Sequence, residues 1–243
     1  MPDDAQNDPT GDVSVVVPAA GESLRMGGDR RKPFLQLLGE PIVMRTCRRL
    51  MEVPGVFEIV LVVHPDDLEF VQGEGWPVLR EAGVELAVAG GASRAQSVWN
   101  GIQVVSARAE IIAVHDAVRP FFPLDMAKAL VSIARRRGAA VPVTPLTDTP
   151  KRIEGDRVLE TPRRLGLMRV QTPQVFRSDL IIEAYEYAIR TGGLSEAVTD
   201  DAQLVERIEG DVAAVYGDDL NIKITSPRDL QVAEALLRAG LVK

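Results

Sequence analysis

Five apolar runs recur along this chain, at residues 13–17 (VSVVV), 58–63 (EIVLVV), 84–89 (VELAVA), 110–115 (EIIAVH) and 139–143 (AAVPV). Each is rich in Val, Ile and Ala without polar alternation, the pattern of a strand buried on both faces. Helical patterns fall between them. Pro41 opens PIVMRTCRRLMEV at a first-turn position, Ser93 can cap RAQSVWNGIQVVSA, and Pro123 precedes LDMAKALVSIARRRG, which stops at Gly138. Strand and helix in alternation predict an α/β fold whose mostly parallel sheet is covered on both faces. In such a sheet, ligands bind beyond the carboxyl ends of the strands.

After Val143 the rhythm breaks. Residues 144–172 hold two short β-like pieces around a Gly-Asp turn, and six cations (Lys151, Arg152, Arg157, Arg163, Arg164, Arg169) against four acids. A hairpin this short cannot build its own core, so it must lie on something else. Helices near 178–191 and 199–208, a strand at 212–216, the segment NIKIT at 221–225 and a helix from Pro227 follow. No linker divides the chain, so residues 13–243 read as one domain, preceded at 1–12 by an acidic tail with neither the basic start nor the apolar centre of a signal peptide. Hydrophobic content of 46% can fill a core without staples, and the single Cys47 excludes an intramolecular disulfide, which fits a cytoplasmic setting. No apolar run approaches the roughly 20 residues that span a bilayer. A net charge of −7 would repel the backbone of a long nucleic acid.

The first strand runs into VSVVVPAAGESLRMGGDRRKPF, where Arg25, Arg30, Arg31 and Lys32 crowd behind residues with almost no side chain. The loop matches neither the dinucleotide fingerprint nor the Walker loop. On the loop alone, a tight turn with surface cations and a nest of backbone N–H groups for a small anion fit equally well. Two further small or polar clusters, GGASRAQSV at 90–98 and HDAVRP at 115–120, fall at the ends of other strands and so at the same sheet edge. Taken singly, Asp116 and Arg119 read as a structural ion pair and Arg94 as part of a solvated helix face. Three such clusters at one edge point to a pocket. His64 and His115 lack the spacing of a zinc site, and Trp76 and Trp99 read as packing residues.

PAAGESLRM with Lys32, then GGASRAQSV, HDAVRP, DTPKR, QTPQVF, TDDA and NIKIT, in this order, resemble the 2-C-methyl-D-erythritol 4-phosphate cytidylyltransferases of the non-mevalonate isoprenoid pathway. The resemblance implies a Rossmann-like nucleotidyltransferase fold, a homodimer whose projecting β-arms (here about 144–172) interlock, dependence on Mg2+, and release of pyrophosphate from CTP. It places the CTP loop on Pro18, Ala19, Ala20 and Gly21 and the catalytic cations on Arg25 and Lys32. Cytosine and ribose contacts fall on Gly91, Ser97 and Asp116, the last also the best carboxylate for the metal. Sugar-phosphate contacts fall on Arg119, Thr149, Arg164, Thr172 and Lys223, with Arg164 delivered by the partner's arm. Ser23, Ala92 and Leu220 depart from the family pattern. Two alternatives stay open at this level: a ribitol-5-phosphate cytidylyltransferase using the same CTP site, and a nucleotide-binding regulator without catalysis.

Overall fold

β1 (Val13–Ala19) is followed by a 3-10 turn (Lys32–Phe34), a small hairpin of β2 (Gln36–Leu37) and β3 (Glu40–Pro41), and α1 (Ile42–Met51). β4 (Val56–Val63) leads to α2 (Pro65–Gln72) and α3 (Trp76–Glu81), β5 (Val84–Ala89) to α4 (Arg94–Ile102), and β6 (Ile111–Val114) to α5 (Leu124–Arg137). β7 (Ala139–Pro145) gives way to a hairpin of β8 (Arg152–Glu154) and β9 (Arg157–Glu160), after which β10 (Met168–Val170) and β11 (Gln174–Arg177) return to the sheet. α6 (Ser178–Arg190), α7 (Ala202–Arg207), β12 (Val212–Tyr216) and α8 (Pro227–Arg238) come last. This computed structural model describes residues 11–21, 31–194 and 197–242.

The central sheet has eight strands. β1 lies in its middle, parallel to β4 and β6, with Val16 opposite Val60 on one side and Val114 on the other. β5 continues beyond β4, also parallel. On the other flank β11 runs antiparallel to both β6 and β7, and β12 closes that edge parallel to β7. β10 pairs the far half of β7 on the edge that β11 uses, since Val143 has Val170 on one side and Tyr216 on the other. The sheet is therefore parallel apart from one returning strand, interrupted at residues 171–173, where the Thr172–Pro173 peptide is cis.

Helices cover both faces, as the strand composition requires. Val13, Val15 and Val17 pack with α1, α2, α3 and α5, whereas Val16 packs with α4, α6 and α7 on the opposite face. α4 lies so close to the sheet that a Cβ on Gly101 would come 2.5 Å from Val16 Cγ1 and 2.8 Å from Val62 Cγ2. A smaller apolar cluster joins α8 to the β2–β3 hairpin through Leu37, Ile42, Phe121, Ile224 and Ala233. The foreseen caps are in place: Ser93 accepts from Gln96 N and Gly138 ends α5 at φ +100°; in addition, Ser226 forms a capping box with Asp229 ahead of α8.

The β8–β9 hairpin turns at Gly155–Asp156, as expected, and every residue of it is exposed on its own chain. Of the N-terminal tail, residues 1–10 lie outside the described residues. Asp12 is tied down, its carbonyl accepting from Glu110 N and Ile111 N and its carboxylate from Arg135. Among the described residues no helix is long and apolar enough to cross a membrane.

Candidate active site

β4 and β5 lie to one side of β1 and β6 to the other, so the chain reverses direction across the sheet at the end of β1. Crevices open at such points. The segments leaving β1, β4, β5 and β6 surround a cleft of about 760 Å³, completed by Lys32, Pro33 and the stretch Lys223–Thr225. Of the residues singled out in the sequence, Pro18, Ala19, Ala20, Gly21, Lys32, Gly91, Ser97, Asp116 and Lys223 all line it. Arg25 lies outside the described residues, as does Ser23.

One wall is built from backbone. Gly90 N donates to Val63 O at 2.7 Å, and a Cβ on Gly90 would lie 2.3 Å from the Ala20 Cβ, so only glycine lets the β1 and β5 loops approach this closely. Gly91 N donates to Ser97 Oγ at 3.0 Å, and that hydroxyl donates to Ser93 O at 2.9 Å. Asn100 Nδ2 donates to Ala89 O at 3.0 Å, and Asn100 Oδ1 accepts from Gln96 Nε2. Successive side chains of α4 thus set the orientation of the peptides that face the cleft.

The two neighbouring cations Arg31 and Lys32 are committed differently. Arg31 donates to His64 Nδ1 at 2.8 Å and pairs with Asp66 and Asp67 at the start of α2, at 3.1 and 2.7 Å. Lys32 lines the cleft and pairs with no carboxylate among the described residues. Arg31 is thus committed to holding α2, whereas Lys32 faces the cleft.

The opposite wall carries a charged cluster. Asp116 Oδ2 is 3.0 Å from both Arg119 Nε and Lys223 Nζ, and Arg119 Nη1 donates to Asn221 O at 2.7 Å. Burial alone would raise the Asp116 carboxyl, but Lys223, Arg94 and Arg119 together hold it well below the usual carboxylate range. Beneath it, Asp116 N donates to Thr172 Oγ1 at 3.1 Å, and Thr172 Oγ1 lies 3.1 Å from His115 Nδ1. His115 Nε2 faces the Arg119 carbonyl at 2.9 Å. A carbonyl only accepts, so Nε2 carries the proton and the Thr172 hydroxyl donates to Nδ1. Burial pushes His115 down to about 4, which keeps the ring neutral.

Thr172 is buried and its hydroxyl is engaged within the protein at both ends, a setting from which it shapes the Asp116 loop. Thr149 and Arg164 do not reach the cleft of their own chain: Arg164 Nη1 donates to Thr147 O at the base of the hairpin, and both residues are exposed. Among the described residues no three His, Cys, Asp or Glu gather as a metal site. Asp116 offers one hard oxygen donor, which suits a divalent cation whose remaining ligands come from phosphate and water.

Two participants were not foreseen. Asn221, wholly buried, donates to the Thr172 carbonyl at 2.9 Å and so joins the NIKIT segment to the Asp116 loop. Arg94 does not sit on a solvated face; its Nη2 pairs with the buried Asp201 at 2.7 Å. These partners are 49 and 107 residues away in sequence, beyond the reach of any local pattern.

The family described as IspD, 2-C-methyl-D-erythritol 4-phosphate cytidylyltransferase, matches residues 13–239. Relatives with that name include one from Symbiobacterium thermophilum, 44% identical, with 93% of this chain and 92% of the relative aligned. Another, from Solibacter usitatus, is 41% identical over 93% of this chain and 96% of its own. Among solved structures, 4-diphosphocytidyl-2C-methyl-D-erythritol synthase from Anaerococcus prevotii superposes with a TM-score of 0.78 at 30% identity, covering 94% of this chain and 97% of its own. The Thermus thermophilus cytidylyltransferase gives 0.75 at 34% identity, covering 92% and 98%. With PAAG, Lys32, GGASRAQSV, HDAVRP and NIKIT contributing to one cleft of the matching fold, the chain belongs to the 2-C-methyl-D-erythritol 4-phosphate cytidylyltransferases, a family of nucleotidyltransferases.

Proposed function

We propose that this protein transfers the cytidylyl group of CTP to 2-C-methyl-D-erythritol 4-phosphate, giving 4-diphosphocytidyl-2-C-methyl-D-erythritol and pyrophosphate. The observation that carries the reading is one cleft lined by a backbone wall at Ala19, Ala20, Gly90 and Gly91, by Lys32, which pairs with no carboxylate among the described residues, and by Asp116 and Lys223, with Arg119 held against Asp116 from behind. The backbone wall suits the edge of a pyrimidine. Lys32 suits the triphosphate, and the Lys223–Arg119 side suits the phosphate and hydroxyls of the acceptor.

An oxygen of the acceptor's 4-phosphate attacks the α-phosphorus of CTP, forming a P–O bond while the bond to the β-phosphate oxygen breaks and pyrophosphate leaves in line. The acceptor is already anionic near neutral pH, so no protein base is required. The work is to hold two anions together and neutralise the charge that builds on the α-phosphate oxygens. Lys32 supplies a compact charge for that purpose, joined in this reading by Arg25. Lys223, whose Nζ lies 3.0 Å from Asp116 Oδ2, turns its ammonium to the acceptor phosphate, and Asp116 is then available to a hydroxyl. Bound Mg2+, held chiefly by the triphosphate with Asp116 as a protein ligand, would supply further charge neutralisation. The exposed hairpin, with Ile153, Val158 and Leu159 uncovered, supports a homodimer in which Arg164 of each chain reaches the acceptor side of the other's cleft. Cys47, buried with its thiol pushed up to about 12, fits a reducing cytoplasm.

The test is a panel of ATP, GTP, UTP and CTP with Mg2+ and either 2-C-methyl-D-erythritol 4-phosphate or ribitol 5-phosphate, read as pyrophosphate released. Turnover confined to CTP with the erythritol phosphate is expected. Equal turnover of ribitol 5-phosphate, or none with any pair, overturns the proposal.

A further inference from the structure

Arg94 is the first residue of α4 and lines the cleft. Behind it stands Asp201, with no solvent exposure, accepting from Arg94 Nη2 at 2.7 Å and from the Tyr185 hydroxyl at 2.6 Å. Asp201 is itself fixed from β11: its own N–H and that of Ala202 both donate to Gln174 Oε1, at 3.1 and 3.2 Å. Tyr185, on α6, stacks on Trp99 of α4, with ring centroids 5.5 Å apart and planes 14° from parallel. Four elements therefore meet at one carboxylate.

A buried ion pair is a costly way to hold a helix, since hydrophobic residues of similar volume do as well or better. What it adds is direction. Arg94 Nη2 meets Asp201 Oδ2 while the Tyr185 hydroxyl holds Oδ1, and this ties the first turn of α4 to one position against α6. On that turn sit Ser93, which caps it, and Ser97, whose hydroxyl holds Gly91 N. Asp201, Tyr185 and Gln174 are absent from the cleft walls, whereas Arg94 lines them, so Arg94 is their contact with the cleft through α4.

We propose that Asp201, held by Gln174 and Tyr185, is a positioning residue for the nucleotide: by clamping Arg94 it fixes the first turn of α4 and thereby the Gly90–Gly91 peptides that read the base. The inference rests on the cytidylyltransferase reading in taking CTP as the ligand of that wall.

The experiment is calorimetric titration of CTP and Mg2+ into the wild type, Asp201→Asn, Tyr185→Phe and Leu50→Ala. The last is a control for lost packing: Leu50 is buried under the opposite face of the sheet. We expect Asp201→Asn to weaken CTP binding about tenfold and Tyr185→Phe by about threefold, with Leu50→Ala unchanged although its Tm falls at least as far. In turnover the same two variants raise KM for CTP and leave kcat and the KM of the acceptor within about twofold. If CTP binds all four proteins alike, the clamp is structural and the proposal fails. Tyr185→Phe keeps the stacked ring, so it carries the test should Asp201→Asn not fold. A wild type that binds CTP without turning it over refutes the transfer reaction while the binding comparison still decides the clamp. A wild type that binds no CTP overturns both.

Discussion

Lys32 and Arg31 are adjacent and equally cationic in the sequence, yet of the two only Arg31 engages the aspartates at the start of α2, and Lys32 lines the cleft. Lys32→Ala should therefore lower kcat about a hundredfold while changing the CTP dissociation constant only a few-fold, since the charge is needed where the α-phosphate gains negative charge. Single-turnover kinetics beside calorimetric CTP binding checks this, and an unchanged kcat removes Lys32 from the mechanism. His115 gives a prediction of another kind. Its folded state holds it neutral down to about 4, whereas the unfolded chain protonates it near 6.5. Between those values the unfolded state binds the extra proton, so stability is highest above 6.5 and falls as pH is lowered toward 4. The loss between pH 7.5 and pH 5 should be about 2 kcal/mol for this one group. Urea unfolding at the two pH values measures it, and His115→Gln should remove the difference. Asp116 does not contaminate that window: its carboxyl is depressed, so its contribution is lost only below the ordinary carboxylate range.

At the scale of elements, the turn from β5 to α4 is the most constrained segment of the site. Gly90→Ala places a methyl 2.3 Å from the Ala20 Cβ and 3.3 Å from the Val63 carbonyl, so the β1 and β5 loops must separate. We expect KM for CTP to rise more than tenfold while circular dichroism stays that of the wild type, and CTP binding at wild-type strength would show that the close approach is dispensable. This turn was legible in the sequence because paired glycines at a strand end, followed by Ser93 as a cap, have a local physical cause. The five parallel strands were legible for the same reason, as continuous apolar runs. β11 was not. It has four residues, follows Pro173, and is a strand only because β6 and β7 leave it a place between them. α2 and α3 also escaped notice, being short helices that bury little beyond Val71 and Leu79. In the site, Asp116, Lys32 and Gly91 follow strand ends and could be placed, whereas the roles of Asp201 and Asn221 depend on partners 107 and 102 residues away. Thr172 lies off the cleft walls with its hydroxyl held by Asp116 N and His115, and no sequence pattern tells which way a hydroxyl beside a proline turns.

The whole molecule presents an imbalance that a single chain does not resolve. Its sheet is covered on both faces, yet Ile153, Val158, Leu159 and Leu165 on the arm and Tyr216 on the edge strand β12 are left to solvent, Tyr216 at 80% exposure. A two-stranded hairpin with nothing beneath it is not stable by itself, and Arg164 at its base donates to a carbonyl of its own arm without reaching the cleft. If a second copy covers the arm and receives Arg164, each active site is made of two chains, and mixing can reveal it. Lys32→Ala and Arg164→Ala should each be inactive alone. In a heterodimer of the two, one site has the intact Lys32 of one chain and the intact Arg164 of the other, while the second site has neither. Random exchange makes half of the dimers mixed and half of their sites whole, so activity should return to roughly a quarter of wild type. Were Arg164 to serve its own cleft, as a mobile loop closing over its own site does, every site in the mixture would keep one lesion and no activity would return. Native mass spectrometry on isotopically distinct subunits establishes that exchange has occurred, so a dead mixture with exchanged subunits would rule out the shared site and leave the arm a packing device only.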